Sequence, residues 1–179
     1  MAANRVGKTM AGAYETALHL TGRYPDWWRG RRFQGPVNWW AAGKTGETTR
    51  DIVQAELLGP VGEWGTGMIP GDDLARVKPR SGIADAVDTV QVKHVSGRLS
   101  RLKFKSYDQG RQSFEGAKQD GIWLDEEPPF DVYGECLLRT AATAPGMLGG
   151  LMLVTFTPLL GLSETALYFA GELLGVADG

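Results

Sequence analysis

The residues best suited to chemistry stand near the beginning of the chain, in the run Asn4–Thr9, which reads NRVGKT. The last three match the end of the phosphate-binding loop pattern, a glycine, four residues and Gly-Lys-Thr or Gly-Lys-Ser before a helix. Ala2 stands where the first glycine belongs, so the match is partial. Gly7 would let backbone N–H groups approach phosphate oxygens, Lys8 would neutralise the β and γ oxygens, and the Thr9 hydroxyl could bind Mg²⁺. The run therefore indicates a nucleoside triphosphate ligand.

Gly-Lys-Thr occurs a second time at Gly43–Thr45, so the tripeptide alone is weak evidence. Asn38 stands there in place of the first glycine, and an apparent strand, Val37–Ala42, precedes the copy. Gly46 and Glu47 follow it in place of an apolar helix. We interpret this copy as a loop at the sheet edge and favour the first copy as the phosphate site.

A second motif supplies the acids that a phosphate loop requires. The apolar run Ile122–Leu124 should be a strand that ends at Asp125, where a carboxylate could hold the hydration shell of Mg²⁺. Glu126 follows directly and could polarise an attacking water. The alternative interpretation of Asp125 and Glu126 is an acidic turn before two prolines. We favour the strand, because the combination of Gly-Lys-Thr with an apolar strand that ends in Asp-Glu is specific.

Phosphoryl transfer also needs positive charge near the γ-phosphate, which an arginine often supplies. Arg5 lies inside the loop and could act on its own nucleotide. Arg111 lies upstream of the acidic motif and could reach a neighbouring subunit. A surface salt bridge is an equally good interpretation of Arg111.

Composition limits the other classes of function. The 179 residues are 42% hydrophobic and 22% charged, typical of one soluble domain, and the formal net charge of -2 gives no general attraction to nucleic acid or anionic membranes. The longest apolar stretch, Leu148–Leu162, is shorter than the ~20 residues of a membrane span. The single cysteine, Cys136, excludes an internal disulfide and is expected in the core. Two local basic clusters, for which a solvated surface is the favoured interpretation, comprise Arg29, Arg31 and Arg32, and Arg98, Arg101, Lys103 and Lys105.

Hydrophobic periodicity predicts alternating strands and helices, and therefore an α/β fold with a largely parallel sheet flanked by helices. Strands are expected at 37–42, 121–125 and 151–156, and a hairpin over 89–104 with its turn at Ser96-Gly97. Helices are expected at 8–20, 48–58, 132–142 and 163–174, the third of them after two prolines and the last capped by Ser163. The stretch 59–82, rich in glycine and proline, is expected to be loop with short helical turns.

Four segments, in order, resemble the ATPase domain of phage terminase large subunits: NRVGKT at 4–9, SYDQGRQSFEG at 106–116, WLDEEPP at 123–129 and TFTP at 155–158. The resemblance covers nearly the whole chain and implies a P-loop NTPase of the additional-strand, catalytic-glutamate type. It implies a single ATPase domain over 1–179, which couples hydrolysis of ATP with Mg²⁺ to translocation of double-stranded DNA into a procapsid. The implied partners are a homo-oligomeric ring on the procapsid portal and the terminase small subunit, without a membrane, in the bacterial host cytoplasm.

The resemblance also implies a role for individual residues. Glu126 becomes the catalytic carboxylate, with Arg5 or Arg111 as the catalytic arginine. Thr9 and Asp125 become the metal ligands, and Thr155 and Thr157 match the coupling motif that senses the γ-phosphate. The implied nucleotide contacts are Asn4, Arg5, Val6, Gly7, Lys8, Thr9, Thr155 and Thr157.

The family has a strand and an adenine-contacting segment before the phosphate loop, and an RNase H-like nuclease domain after the ATPase. We expect the upstream strand and adenine-contacting segment, and also the nuclease domain, to be missing here, with the first strand absent or truncated. The chain would then be a fragment of the longer protein. The alternative function is a non-catalytic prophage remnant with weak nucleotide binding, and a helicase ranks lower. Such a fragment is expected to be unstable and to turn over little ATP.

Overall fold

A computed structural model describes residues 7–158 and 163–174, which form a six-stranded sheet with helices packed on it. The strands are β1 (Asn38–Gly43), β2 (Leu74–Pro79), β3 (Val87–Lys93), β4 (Leu99–Ser106), β5 (Gly121–Asp125) and β6 (Leu151–Thr155). The helices are α1 (Lys8–Thr21), α2 (Gly46–Thr48), α3 (Ala55–Leu58), α4 (Phe130–Thr140) and α5 (Glu164–Leu174). A π-helical turn, Thr49–Gln54, joins α2 to α3, and 3₁₀ turns cover Gly71–Asp73, Tyr107–Gln109 and Arg111–Phe114.

The strand order is β2-β3-β4-β1-β5-β6, and the two halves of the sheet differ in direction. β4, β1, β5 and β6 are mutually parallel, with Trp40 of β1 opposite Lys103 on one side and Ile122 on the other. β2, β3 and β4 are antiparallel, and the β3–β4 hairpin turns through Gly97 at φ 80°. The predicted α/β fold with a largely parallel sheet is therefore confirmed, as is the predicted hairpin.

Alternation along β1 divides the core into two layers, because successive side chains of a strand point to opposite faces. Trp39 and Ala41 face α1 and the segment from the π-helical turn to α3, in a cluster that also contains Leu20 and Leu57. Trp40 and Ala42 face the opposite layer. That layer is built from α4 and the turns after β4 and contains Phe114, Tyr133 and Cys136.

Helix α1 is fixed at both ends by glycines in the left-handed region. Gly7 at φ 77° starts it, and Gly22 at φ 72° ends it by donating its N–H to the Leu18 carbonyl oxygen at 2.8 Å. The predicted helix is thus confirmed, and its first residues, Lys8 and Thr9, lie in line with the central strands. Positions 1–6, on which the expectation of a missing first strand falls, lie outside the described residues.

Three expectations were wrong. The stretch 59–82 is not all loop, because Leu74–Pro79 is the edge strand β2, whose short, interrupted apolar pattern gives a weak signal.

The second helix begins at Gly46 instead of position 48. Thr45 is its N-cap, with its hydroxyl accepting the Thr48 N–H at 3.1 Å. The second Gly-Lys-Thr does form a short loop, but this loop follows the interior strand β1 and precedes a helix, and so does not lie at an edge strand of the sheet.

The interpretation of Lys105 as part of a solvated basic cluster was also wrong. Its side chain is buried, with Nζ 4.4 Å from the centre of the Trp40 ring and donating to the Ser113 carbonyl oxygen. Burial lowers the pKa of this amine to about 8. Lys105 thereby ties the turn at Arg111–Phe114 to β4. In the described part of the chain, no helix combines the length and apolarity needed to cross a bilayer.

Two glycines in helix interiors give a matched test of this packing. A Cβ on Gly12 of α1 would overlap the indole of the fully buried Trp123, whereas a Cβ on Gly134 of α4 would have no heavy atom within 4 Å. We expect Gly134→Ala to raise the free energy of unfolding by about 0.5–1 kcal/mol, the helix-propensity gain. Gly12→Ala should lower it by about 1–3 kcal/mol, because the clash outweighs the same gain. Denaturant melts of both variants measure this, and equal stabilisation would contradict the packing described.

Candidate functional site

A cleft of about 550 Å³ lies where the parallel strands end. Because β4, β1, β5 and β6 run in the same direction, their carboxyl ends meet at one edge of the sheet, the usual position of ligand sites in such folds. The beginning of α1 reaches the same edge. The cleft is lined by Gly7, Lys8, Thr9, Met10, Lys44, Ile52, Glu56, Asp125, Glu126, Glu127, Thr155, Phe156 and Thr157.

Lys8 extends from the first turn of α1 across the cleft. Its Nζ donates to the Thr157 hydroxyl at 2.7 Å, so the two predicted γ-phosphate residues contact each other across the site. The adjacent N-terminus of α1 places backbone N–H groups and the positive end of the helix dipole in the same region. This end of the cleft is suited to an anion.

Asp125, the last residue of β5, joins three elements. The Thr9 hydroxyl donates to its carboxylate at 3.1 and 3.2 Å, and the Thr155 hydroxyl of β6 donates to Oδ1 at 2.7 Å. Thr155 in turn accepts a hydrogen bond from Nε1 of Trp123 at 2.7 Å. The start of α1 and the ends of β5 and β6 are therefore held together through one carboxylate.

The Asp125 carboxyl is buried, with 4% of the residue exposed. Burial raises its pKa above the ordinary value of 3.8, while the hydrogen bonds from Thr155 and Thr9 oppose this rise. No group of three or more His, Cys, Asp or Glu side chains that could hold a metal occurs among the described residues. A cation here would have the Thr9 hydroxyl and one carboxylate as protein ligands. This oxygen set suits Mg²⁺, which commonly takes its remaining ligands from phosphate and water.

Glu126 lies at the mouth of the cleft in an unusual backbone conformation, with φ 64°. A non-glycine residue in this region costs about 1–3 kcal/mol and persists only where its surroundings fix it. Here the Glu126 N–H donates to the Thr155 carbonyl oxygen at 2.9 Å. The buried Tyr107 hydroxyl donates to the carbonyl oxygens of Asp125 and Glu126 at 2.8 and 3.3 Å. The strained peptide is thus held from both sides, which fixes the backbone from which the Glu126 side chain extends.

Arg111 lies away from the cleft and is not among its lining residues. Its Nε donates to Glu135 of α4 at 3.1 Å, and its guanidinium is 3.8 Å from Glu115. Glu135 is buried and also pairs with Arg139 at 3.1 Å, whereas the Arg111 side chain remains 54% exposed. The predicted salt bridge is therefore present, and the guanidinium is exposed outside the cleft.

The structure brings together most of the residues predicted for the site. Lys8, Thr9, Asp125, Glu126, Thr155 and Thr157 all line the one cleft, with Gly7 at its edge, whereas Asn4, Arg5 and Val6 lie outside the described residues.

Sequence reasoning gave no role to Tyr107, Trp123 or Lys44. Tyr107 directly follows β4, and a polar residue after a parallel strand is the signal that could have found it. Trp123 gave no such signal, since its hydrogen bond to Thr155 depends on pairing between β5 and β6. Lys44, from the second Gly-Lys-Thr, also lines the cleft and is therefore part of the site.

Residues 1–165 match the model of a protein family described as "Terminase large subunit, T4likevirus-type, N-terminal". The chain belongs to the terminase large-subunit family. This terminase chain is also 39% identical, over 189 aligned residues, to the large terminase subunit of Salmonella phage P22. That alignment covers 94% of the chain and 37% of the phage P22 protein, so the chain spans little more than a third of its relative.

Solved structures of large terminases share the fold. The large terminase of a thermophilic bacteriophage, in complex with ADP, superimposes with a TM-score of 0.56 at 18% identity, over 85% of this chain and 31% of that one. The ATPase domain of the Thermus phage P74-26 large terminase, determined as a mutant, gives 0.53 at 17% identity, over 93% of this chain and 61% of that one. The terminase chain therefore has the P-loop NTPase fold of these ATPase domains.

The buried Asp125 carboxylate predicts that the stability of the chain depends on pH. Because folding raises the Asp125 pKa, the folded chain binds more protons than the unfolded chain as pH rises above about 3.8, so wild-type stability falls through that range. Asp125→Asn removes this loss. We expect the variant to melt at a higher temperature than wild type at pH 7 and to lose that advantage near pH 3.

Thermal melts between pH 3 and pH 8 measure this difference, with the exposed Asp26→Asn as the matched control. A lower melting temperature for Asp125→Asn than for wild type at pH 7 would show that the Asp125 hydrogen bonds outweigh the cost of burial.

Proposed function

We propose that this chain is the ATP-hydrolysing part of a viral DNA-packaging motor, which couples hydrolysis of Mg-ATP to movement of double-stranded DNA into a procapsid. The observation that carries the proposal is the convergence of Lys8, Thr9 and Asp125 with Thr155 and Thr157, at and just after the end of β6, on one cleft. These are the groups that bind and sense the phosphates of a nucleotide. Membership of the terminase family and the ADP complex of a relative with the same fold support it.

Nucleotide binding would begin with an exchange of partners by Lys8. The Lys8 ammonium donates to the Thr157 hydroxyl, and β- and γ-phosphate oxygens would replace that hydroxyl as stronger, charged acceptors. Thr157 would then turn to contact the γ-phosphate itself. Since Thr155, two residues earlier, bonds to Asp125, the end of β6 is placed to respond to the presence of that phosphate.

The Thr9 hydroxyl and the Asp125 carboxylate would hold Mg²⁺ between protein and phosphate, the carboxylate directly or through water. Bound there, Mg²⁺ would neutralise charge on the β and γ oxygens. Lys8 would contribute a second positive charge from within the same cleft. The raised pKa of Asp125 would fall again next to a divalent cation, so the ionised ligand form is present at neutral pH.

Glu126 is the proposed catalytic carboxylate, which orients the attacking water and accepts its proton. Its strained backbone turns the side chain into the mouth of the cleft, while the side chain of Asp125 remains buried among the threonines. Tyr107 acts as a positioning residue, because its hydroxyl holds the carbonyl groups on either side of the strained position.

Arg111 is the proposed catalytic arginine for the nucleotide of a neighbouring subunit, as expected for a homo-oligomeric ring. It lies outside its own cleft, and buried Glu135 holds its Nε while leaving the guanidinium exposed. Arg5 remains the alternative, acting within its own subunit. The proposed assembly is a ring on the procapsid portal, working with the terminase small subunit on double-stranded DNA in the bacterial host cytoplasm.

Replacing Glu126 tests the chemical step. Glu126→Gln should reduce ATP turnover by about 10²–10⁴-fold, the usual contribution of a general base, and leave ATP binding nearly unchanged. Glu127→Gln is the matched control, because Glu127 also lines the cleft but accepts a hydrogen bond from Ser163. Phosphate release at saturating ATP and equilibrium ATP binding measure the two effects. Turnover in Glu126→Gln close to that of wild type would remove Glu126 from the catalytic role.

Mixing subunits tests whether Arg111 acts across an interface. Arg111→Ala and Lys8→Ala should each abolish turnover, and mixing the two proteins should restore part of it, because an intact cleft then meets an intact arginine. Arg139→Ala is the matched control, since Arg139 pairs with the same Glu135 and should leave turnover nearly unchanged. The measurement is ATP turnover against mixing ratio. A mixture as inactive as its components would place the catalytic arginine elsewhere.

A further inference from the structure

Trp123 lies in β5, just before the end of the strand at Asp125, and contacts two elements that carry residues of the site. It is fully buried. The Nε1 edge of its indole packs on the backbone of α1 at Gly12, where a Cβ would lie 2.4 Å from Nε1. Gly12 follows Lys8 by one helical turn. Nε1 itself donates to the Thr155 hydroxyl of β6 at 2.7 Å, so one side chain joins the helix of Lys8 to the strand of Thr155.

The Thr155 hydroxyl has one proton and two acceptors within reach. Its oxygen lies 2.7 Å from Oδ1 of Asp125 and 3.4 Å from the Leu124 carbonyl oxygen. A hydroxyl accepts one hydrogen bond while it donates another, and acceptance of the Trp123 N–H leaves the proton for the nearer carboxylate. The two bonds run in one direction, from indole to hydroxyl to carboxylate, and each polarises the next. The Trp123 N–H therefore favours the hydroxyl orientation that holds Asp125.

Trp39 shows that packing in this layer does not by itself require such a bond. It lies on the neighbouring strand β1, in the same core cluster as Trp123, and is also buried, with 1% of the residue exposed. Its Nε1 is buried without a hydrogen-bond partner among the described residues. Phenylalanine would therefore lose no hydrogen bond at position 39, whereas at position 123 it would lose the contact with Thr155.

We infer that Trp123 is a positioning residue, whose indole N–H fixes the Thr155 hydroxyl on Asp125 and so couples the end of β6 to the start of α1. Trp123 does not line the cleft and would touch no nucleotide, so it acts through Thr155. The inference deepens the proposed function, and rests on it for the nucleotide and for β6 as the element that senses the γ-phosphate.

The packing at Gly12 provides the route for this coupling. Protein interiors are close-packed, so a displacement of one element moves the side chains packed against it. Entry of phosphate at Lys8 would displace the first turns of α1, and the indole on Gly12 would carry the displacement to Thr155. Without the N–H, Thr155 could donate to the Leu124 carbonyl oxygen instead, and β6 would be tied to Asp125 by backbone pairing alone.

The first test follows the six indole N–H resonances of the chain by NMR with isotope-labelled tryptophan. Thr155→Val removes the acceptor and should shift one resonance strongly, which assigns it to Trp123, whereas Trp39→Phe removes the resonance of Trp39. In the wild-type chain with Mg²⁺, the β,γ-imido analogue of ATP should move the Trp123 resonance further than ADP does, because only the analogue carries a γ-phosphate. The Trp39 resonance is the internal control and should respond equally to the two nucleotides.

The second test compares two tryptophan-to-phenylalanine variants that remove the same volume from buried positions. Trp123→Phe should lower kcat for ATP, per folded molecule, by about three- to tenfold, the usual effect of one lost hydrogen bond, with KM nearly unchanged. Trp39→Phe is the matched control and should leave kcat within about twofold of wild type, because it loses no hydrogen bond. Thermal melts give the folded fraction of each variant.

Combination with Thr155→Val separates positioning from packing. In that background Trp123→Phe should cause no further loss of kcat, because the acceptor is already gone, whereas independent effects on packing would multiply. The resonance measurement needs only wild type, Thr155→Val and Trp39→Phe, so it decides the inference even where Trp123→Phe does not fold.

Independent losses from Trp123→Phe and Thr155→Val, or an equal loss in Trp39→Phe, would overturn the inference. A Trp123 resonance that responds equally to ADP and to the ATP analogue would also overturn it. In each of these cases nucleotide still binds and the proposed function stands. No nucleotide binding by the wild-type chain would overturn the inference and the proposed function together.

Discussion

The architecture of the site depends on one buried carboxylate at the end of β5, which lies between the parallel strands β1 and β6. Asp125 accepts hydrogen bonds from Thr9 at the start of α1 and from Thr155 at the end of β6, so it joins segments that lie far apart in sequence. Burial of a carboxylate destabilises the folded chain unless the carboxylate is hydrogen-bonded. The hydrogen bonds from Thr9 and Thr155 are therefore needed to offset the burial of Asp125, and they also hold the site together. The helix that carries Lys8 and the strand that leads to Thr157 are consequently held at a fixed separation across the cleft.

The sheet divides into two halves with different surroundings. The parallel strands are covered on both faces, and β5 is buried at every position, as parallel strands in α/β proteins usually are. The antiparallel strands are covered on one face only, and their outward positions are rich in lysine and arginine. Since β4 belongs to both halves, the covered region that forms the cleft and the exposed positions of the antiparallel strands are parts of the same sheet.

Local patterns were sufficient for most of the fold and for the residues that react. Gly7-Lys8-Thr9 and the apolar strand ending in Asp125 have fixed spacing and a direct chemical meaning, and the structure places them together. The short edge strand β2 could not be predicted, because its pairing with β3 depends on a partner and leaves little alternation in its own sequence. The same holds for Tyr107 and Trp123, whose hydrogen bonds join chain segments that no local pattern relates. The burial of Lys105 depends likewise on Trp40 and Phe114 above it.

The continuity of β4 has a mechanical consequence. The strand carries Arg101 and Lys103 at outward-facing positions, and Tyr107 follows immediately after its end, with its hydroxyl on the backbone around Glu126. From Arg101 to Ser106 every residue of β4 is paired with β1, and pairing with β3 extends as far as Lys103. Such a paired strand is stiff along its axis. A force applied to the outward-facing side chains of β4 would therefore act on the hydrogen bonds that hold the Glu126 backbone, because the paired strand leads directly to Tyr107.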